Sequence, residues 1–75
     1  MSPEELIAKV FGVPLTDVVP STSPETIEEW DSLAHMNLVL ELEAAYGIAL
    51  SSDDALDTKD VASLKRVLND RGATW

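Results

Sequence analysis

The sequence predicts an all-α fold: a small four-helix bundle with a short third helix and a long loop between helices one and two. Three observations carry this. Capping residues and glycines bracket four segments. Apolar residues inside the longer segments recur at helical spacing. No stretch of useful length alternates as a strand does. The 75 residues are 45% hydrophobic, with three Gly and four Pro, which is enough apolar surface for one core and too little chain for two. Residues 1–75 are expected to form a single domain.

The first helix opens at Ser2-Pro3-Glu4-Glu5, a capping serine, a proline at the first helical position and a glutamate placed to close a capping box. Leu6, Ile7, Val10 and Phe11 follow at helical spacing and Gly12 is placed to stop the helix, so it is expected over residues 3–11. From Val13 to Asp31 the chain carries Pro14, Pro20 and Pro24 and cannot hold a long helix. Val18, Val19, Ile27 and Trp30 are the candidates to pin this loop, part of which is expected to turn. Asp31 caps a second helix from about Ser32 to Tyr46, with Gly47 as its stop and Ile48 and Leu50 as anchors beyond it. Ser51-Ser52-Asp53-Asp54 caps a short helical piece around Ala55 and Leu56. Thr58 or Asp60 starts the last helix, with Val61, Leu64, Val67 and Leu68 inward, Lys65, Arg66 and Arg71 towards its C-terminal end, and Gly72 as its stop. Ala73 to Trp75 are expected to be a loose tail.

Fourteen Asp and Glu against five Lys and Arg give a formal charge of -9, which disfavours nucleic acid and anionic membranes as partners and favours basic protein surfaces. With no cysteine and one histidine, disulfides are excluded and neither zinc nor iron-sulfur binding is expected, so thiol chemistry would have to come from a cofactor. No basic leader precedes an apolar run and no segment approaches the roughly 18 apolar residues of a membrane span, which points to the cytoplasm.

The second helix has two apolar faces. At about 100 degrees per residue, His35, Leu38, Val39, Leu42 and Tyr46 gather on one side, the natural core face. Leu33, Met36 and Leu40 fall on the other, to be packed under the loop or presented to a partner. Ser32 sits at the head of this helix, where free N–H groups and the positive end of the dipole suit a phosphate ester on its oxygen, although a serine beside Asp31 also serves simply to start a helix.

Trp30-Asp31-Ser32-Leu33 and the helix HMNLVLELEAAYGI resemble the Asp-Ser-Leu motif and recognition helix of the acyl carrier proteins. The resemblance covers nearly the whole chain: first helix, long loop, Asp-Ser-Leu helix, short acidic helix at Ser52 to Asp57, and final helix from Asp60. It implies a four-helix bundle of acyl carrier type. It implies further that a phosphopantetheinyl transferase attaches 4'-phosphopantetheine from coenzyme A to Ser32, beside Asp31, and that acyl groups ride as thioesters on the arm. Leu33, Met36, Asn37, Leu40 and Glu43 match the family's partner-facing positions, and the partners implied are ketosynthase, acyltransferase or acyl ligase enzymes meeting a monomeric, non-catalytic carrier. Ala34, Asn37 and Ala44 replace acidic residues frequent in fatty-acid carriers, while Glu25, Glu28, Glu29 and Asp31 concentrate charge in the loop before Ser32. Neither the Gly-containing segment usual before the motif in fatty-acid carriers nor the paired glycines of peptidyl carriers is present. These departures lean towards a specialised acyl or polyketide pathway, with an aminoacyl or peptidyl carrier, or an acidic interaction domain without a prosthetic group, as the alternatives.

Two other chemistries are weaker. Asp31, Ser32 and His35 supply the residue types of a hydrolytic triad, but no Gly-x-Ser-x-Gly elbow presents the serine. Here His35 is expected at the edge of the core, within hydrogen-bond reach of the loop. Asp53, Asp54, Asp57 and Asp60 lack the alternation, central glycine and closing glutamate of a calcium loop, and are expected to be mainly solvated helix caps.

Overall fold

A computed structural model describes residues 1–75 and contains all four expected helices. Helix α1 spans Pro3–Phe11, α2 Ser32–Tyr46, α3 Ser52–Asp57 and α4 Val61–Asp70, with one 3-10 turn at Leu15–Asp17 in the long loop. The ends follow from local chemistry. Ser2 Oγ accepts the Glu5 N–H at 3.2 Å while Glu5 Oε1 accepts the Ser2 N–H at 3.0 Å, the reciprocal pair expected at α1. Asp60, not Thr58, caps α4, its Oδ1 accepting the Ser63 N–H at 2.7 Å.

The core is built from Leu6, Ile7 and Phe11 of α1, Leu38 and Leu42 of α2, and Val61, Leu64 and Leu68 of α4, closed by Val18 and Trp30 from the loop. Every α4 position expected to point inward is buried. Helix α3 adds no apolar side chain to this core; its one buried residue is Asp54. No helix is long and apolar enough to cross a membrane.

Three expectations are corrected. Val19 is exposed, because the loop is pinned instead by Val18 and by Thr22, whose buried hydroxyl donates to the Asp17 carbonyl at 3.0 Å and accepts the Val19 N–H at 2.9 Å. The loop also caps α4: the Thr22 and Pro20 carbonyls accept the Val61 and Ala62 N–H groups, each at 3.0 Å, satisfying donors that a helix start leaves open.

The tail is docked, not loose. Gly72, at φ +85, takes the left-handed conformation that costs glycine little, which lets Gly72 N–H reach the Asn69 carbonyl and Ala73 N–H the Leu68 carbonyl, each at 3.0 Å. Ala73 is thereby buried against the core. Trp75 lies with its ring centroid 6.0 Å from that of Tyr46 and 5.8 Å from Lys65 Nζ, and Lys65 in turn pairs with Glu4 at 3.0 Å.

Asp54, expected to be a solvated cap, is buried in a bidentate pair, its oxygens accepting from Arg71 Nε at 2.8 Å and Nη2 at 2.7 Å. The Arg71 guanidinium, helped by the Ser51 N–H, holds the Asp54 carboxyl down from 3.8 to about 2. A lowered folded-state value means stability that is present above the ordinary carboxylate range and lost as pH falls through about 2. Asp54→Asn is therefore expected to melt below the parent at neutral pH, with the difference vanishing near pH 2; paired thermal melts check this.

Candidate functional site

The head of α2 is fixed from both sides. Trp30, 2% exposed, packs tilted on Phe11 with ring centroids 5.2 Å apart, and its indole N–H donates to His35 Nδ1 at 2.9 Å. One residue later Asp31 Oδ1 accepts the Ala34 N–H at 2.8 Å. Ser32 is thus held at the first helical position and exposed, beside the open N–H groups of Ser32 and Leu33.

Ser32 opens onto a groove of about 880 Å³ between the first turn of α2, the loop at Ser23 to Glu25, and α3. Trp30, His35 and Met36 line one side and Ala55, Leu56 and Thr58 the other, with Lys59 as the one cation among the lining residues. His35 turns both ring nitrogens inward: Nε2 lies 2.9 Å from the Ala55 carbonyl oxygen and 3.0 Å from Thr58 Oγ1. With Asp31 on Ala34 and His35 on Trp30 and α3, neither partner of a hydrolytic triad is turned to Ser32.

The two faces of α2 separate as expected. Leu38, Val39 and Leu42 are buried and Tyr46 is half-buried, its hydroxyl donating to the Met1 carbonyl at 2.9 Å. Leu33, Met36 and Leu40 are 73%, 56% and 60% exposed, in one row with exposed Asn37. Glu43 is partly engaged within the chain, Oε2 accepting the Leu50 N–H at 2.9 Å. Glu25, Glu28, Glu29 and Asp31 are all exposed before Ser32.

Two contributors were not singled out by sequence reasoning. Leu56, 71% exposed on α3, stands across the groove from Met36 and widens the apolar face. A single Leu between aspartates in so short a helix gives no periodicity from which to assign its side. Thr58 is buried and ties α3 to His35, a pairing across the sequence with no local signal. No group of three or more His, Cys, Asp or Glu side chains is placed to hold a metal ion.

The family model described as phosphopantetheine attachment site matches residues 4–68. Among solved structures, a holo acyl carrier protein from Geobacter metallireducens, determined by solution NMR, is similar at a TM-score of 0.81 and 29% identity, over 91% of this chain and 78% of that one. No curated protein matches the chain. The residues present suit the prosthetic group. A phosphate ester at the head of α2 meets open N–H donors and the positive end of a 15-residue helix. The groove beside it joins apolar surface from Trp30, Met36 and Leu56 to polar surface from Ser23, Ser52 and Thr58, as an arm of alternating methylene and amide groups requires. The match over residues 4–68 and a bundle that offers an exposed serine at a helix head lead to one conclusion: the chain belongs to the phosphopantetheine attachment site family, and 4'-phosphopantetheine is its prosthetic group.

Proposed function

We propose that the chain is an acyl carrier whose Ser32 is esterified with 4'-phosphopantetheine from coenzyme A by a phosphopantetheinyl transferase. The arm supplies a terminal thiol on which acyl groups are held as thioesters. The protein's own part is to position and present. Asp31 caps α2 and so sets the direction of Ser32, the open N–H groups and Lys59 offset the charge of the phosphodiester, and Leu33, Met36, Asn37 and Leu40 with Leu56 offer the face on which partner enzymes dock. Ketosynthase, acyltransferase or acyl ligase type enzymes with basic rims fit that face, since the acidic run Glu25 to Asp31 borders it. The neutral residues at Ala34, Asn37 and Ala44, together with the shift of charge onto the loop, favour a specialised acyl or polyketide pathway.

The observation that carries this proposal is the exposed Ser32 hydroxyl at the first position of a helix whose preceding residues are immobilised. Incubation with coenzyme A and a promiscuous transferase, followed by intact mass, tests it. One phosphopantetheine mass is expected on the parent and none on a folded Ser32→Ala variant. Equal labelling of the two would move the attachment point elsewhere.

A further inference from the structure

Helix α3 carries one wall of the groove beside Ser32, yet it has little of its own to hold it there. It is six residues long, too short to be stable alone, and it buries no apolar side chain. It packs on α4, and Asp54 on Arg71 ties its N-terminal half to the end of that helix. Its C-terminal half is bonded to His35 of α2.

Asp54 Oδ2 accepts the Ser51 N–H at 3.0 Å as well as Arg71 Nε at 2.8 Å, while Oδ1 accepts Nη2 at 2.7 Å. Three donors thus fix the carboxylate in direction as well as position. Arg71 is itself seated. Its N–H reaches the Val67 and Leu68 carbonyls at 3.2 and 3.1 Å, and the left-handed Gly72 after it turns Ala73 into the core. Position therefore passes from the end of α4 through the guanidinium to α3, and so to Leu56 opposite Met36.

We propose that Arg71 is a positioning residue for partner docking: it lies outside the groove and, by gripping Asp54, holds α3 at the spacing at which Leu56 and Met36 form one apolar face. Its part is played by geometry and not by charge. A planar guanidinium meets both carboxylate oxygens at once, which a lysine ammonium does not do. Removing the charge of Arg71 would make an already acidic chain more attractive to a basic partner, so position and charge act with opposite signs. The hold on α3 is independent of what Ser32 carries; only its effect on docking rests on Ser32 as the attachment point.

The test follows transfer of the arm from coenzyme A by a promiscuous transferase, with the carrier as the varied substrate. Arg71→Ala is expected to raise KM about tenfold with kcat within about twofold of the parent, because α3 is then seated in about a tenth of the molecules while the bound complex is unchanged. Arg71→Lys keeps the charge and one of the two bonds, and its KM is expected to fall between these. Arg66→Ala removes a cation from the same helix without touching α3, and is expected to keep KM at or below that of the parent. Amide exchange on the same unmodified chains is expected to show α3 protection lower by about tenfold or more in Arg71→Ala, with α1 and α2 within about twofold. An unchanged KM in Arg71→Ala, a rise that Arg66→Ala matches, or a fall in kcat at constant KM overturns the proposal, as does α3 protection equal to that of the parent. If the parent takes up no arm, the attachment reading fails and the exchange comparison alone decides whether Arg71 holds α3. If Arg71→Ala does not fold, Arg71→Lys with KM and α3 protection both unchanged overturns the proposal.

Discussion

Leu42→Glu is expected to leave the chain largely unfolded at room temperature, whereas Leu40→Glu, two positions away on the same helix, melts within a few degrees of the parent. The substitutions are chemically identical and sit in the middle of α2, so helix propensity and added charge cancel in the comparison. What differs is the environment. Leu42 is 0% exposed among the α1 and α4 side chains, while Leu40 is 60% exposed. Removing a buried leucine costs about 2–5 kcal/mol, and an unpaired carboxyl forced into the same space adds several more. A chain of this length has about 4–11 kcal/mol of stability in total. The sum for Leu42 reaches that total and the sum for Leu40 does not approach it. Leu40→Glu should instead slow arm transfer or use by a partner enzyme by about tenfold or more, as expected for a buried anchor at an interface. Circular dichroism melts and a modification assay on both variants check the pair. Equal unfolding would make the outer row of α2 structural and remove it as a docking face.

Trp30→Ala is expected to cost about 3–5 kcal/mol, the range for deleting a large buried aromatic. The loss reaches the site directly, because Trp30 is the last fixed point before α2 and also the donor to His35. Trp30→Phe separates the two contributions. Phenylalanine keeps a ring against Phe11 but offers no N–H, so His35 Nδ1 loses its partner at about 1–3 kcal/mol. Urea unfolding midpoints should rank parent, then Phe, then Ala. A Trp30→Ala midpoint equal to that of Trp30→Phe would show that the ring contributes nothing and that Val18 and Thr22 alone hold the loop.

Local signals in the sequence were sufficient for the helices. Ser2 with Glu5, Asp31 and Gly47 act on atoms within one turn of themselves, so their positions alone set the boundaries that the structure shows, whereas Thr58 and Asp60 offered two starts for α4 and the structure uses Asp60. Helical periodicity likewise separated Leu38 and Leu42 from Leu33, Met36 and Leu40. What escaped depends on contacts between segments far apart in sequence. Asp54 has the form of a surface cap until Arg71 arrives from the end of α4. Trp75 has the form of a tail residue until Tyr46 and Lys65 supply a surface for its ring. Val18 and Val19 are indistinguishable by composition, and only the turn closed by Thr22 decides which of them faces inward. At the candidate site, the place of Ser32 at the head of α2 was legible from the Asp31 cap, whereas the wall opposite it, Leu56 and Thr58, was set by how α3 is tethered.

The carbonyls of Pro20 and Thr22 that cap α4 divide the long loop into two stretches with different tolerance for added sequence. Between these residues the chain length is matched to the first turn of α4, so a single inserted residue would carry one carbonyl out of register and leave an amide of that turn without its partner. Between Glu28 and Glu29 the side chains are in solvent and the nearest backbone bonds close only local turns, from Thr26 and Ile27 to Ser23 and from Trp30 to Ile27. A peptide grafted at the second point would open the turn from Trp30 to Ile27 and leave the cap of α4 intact; grafted at the first, it would unseat the final helix.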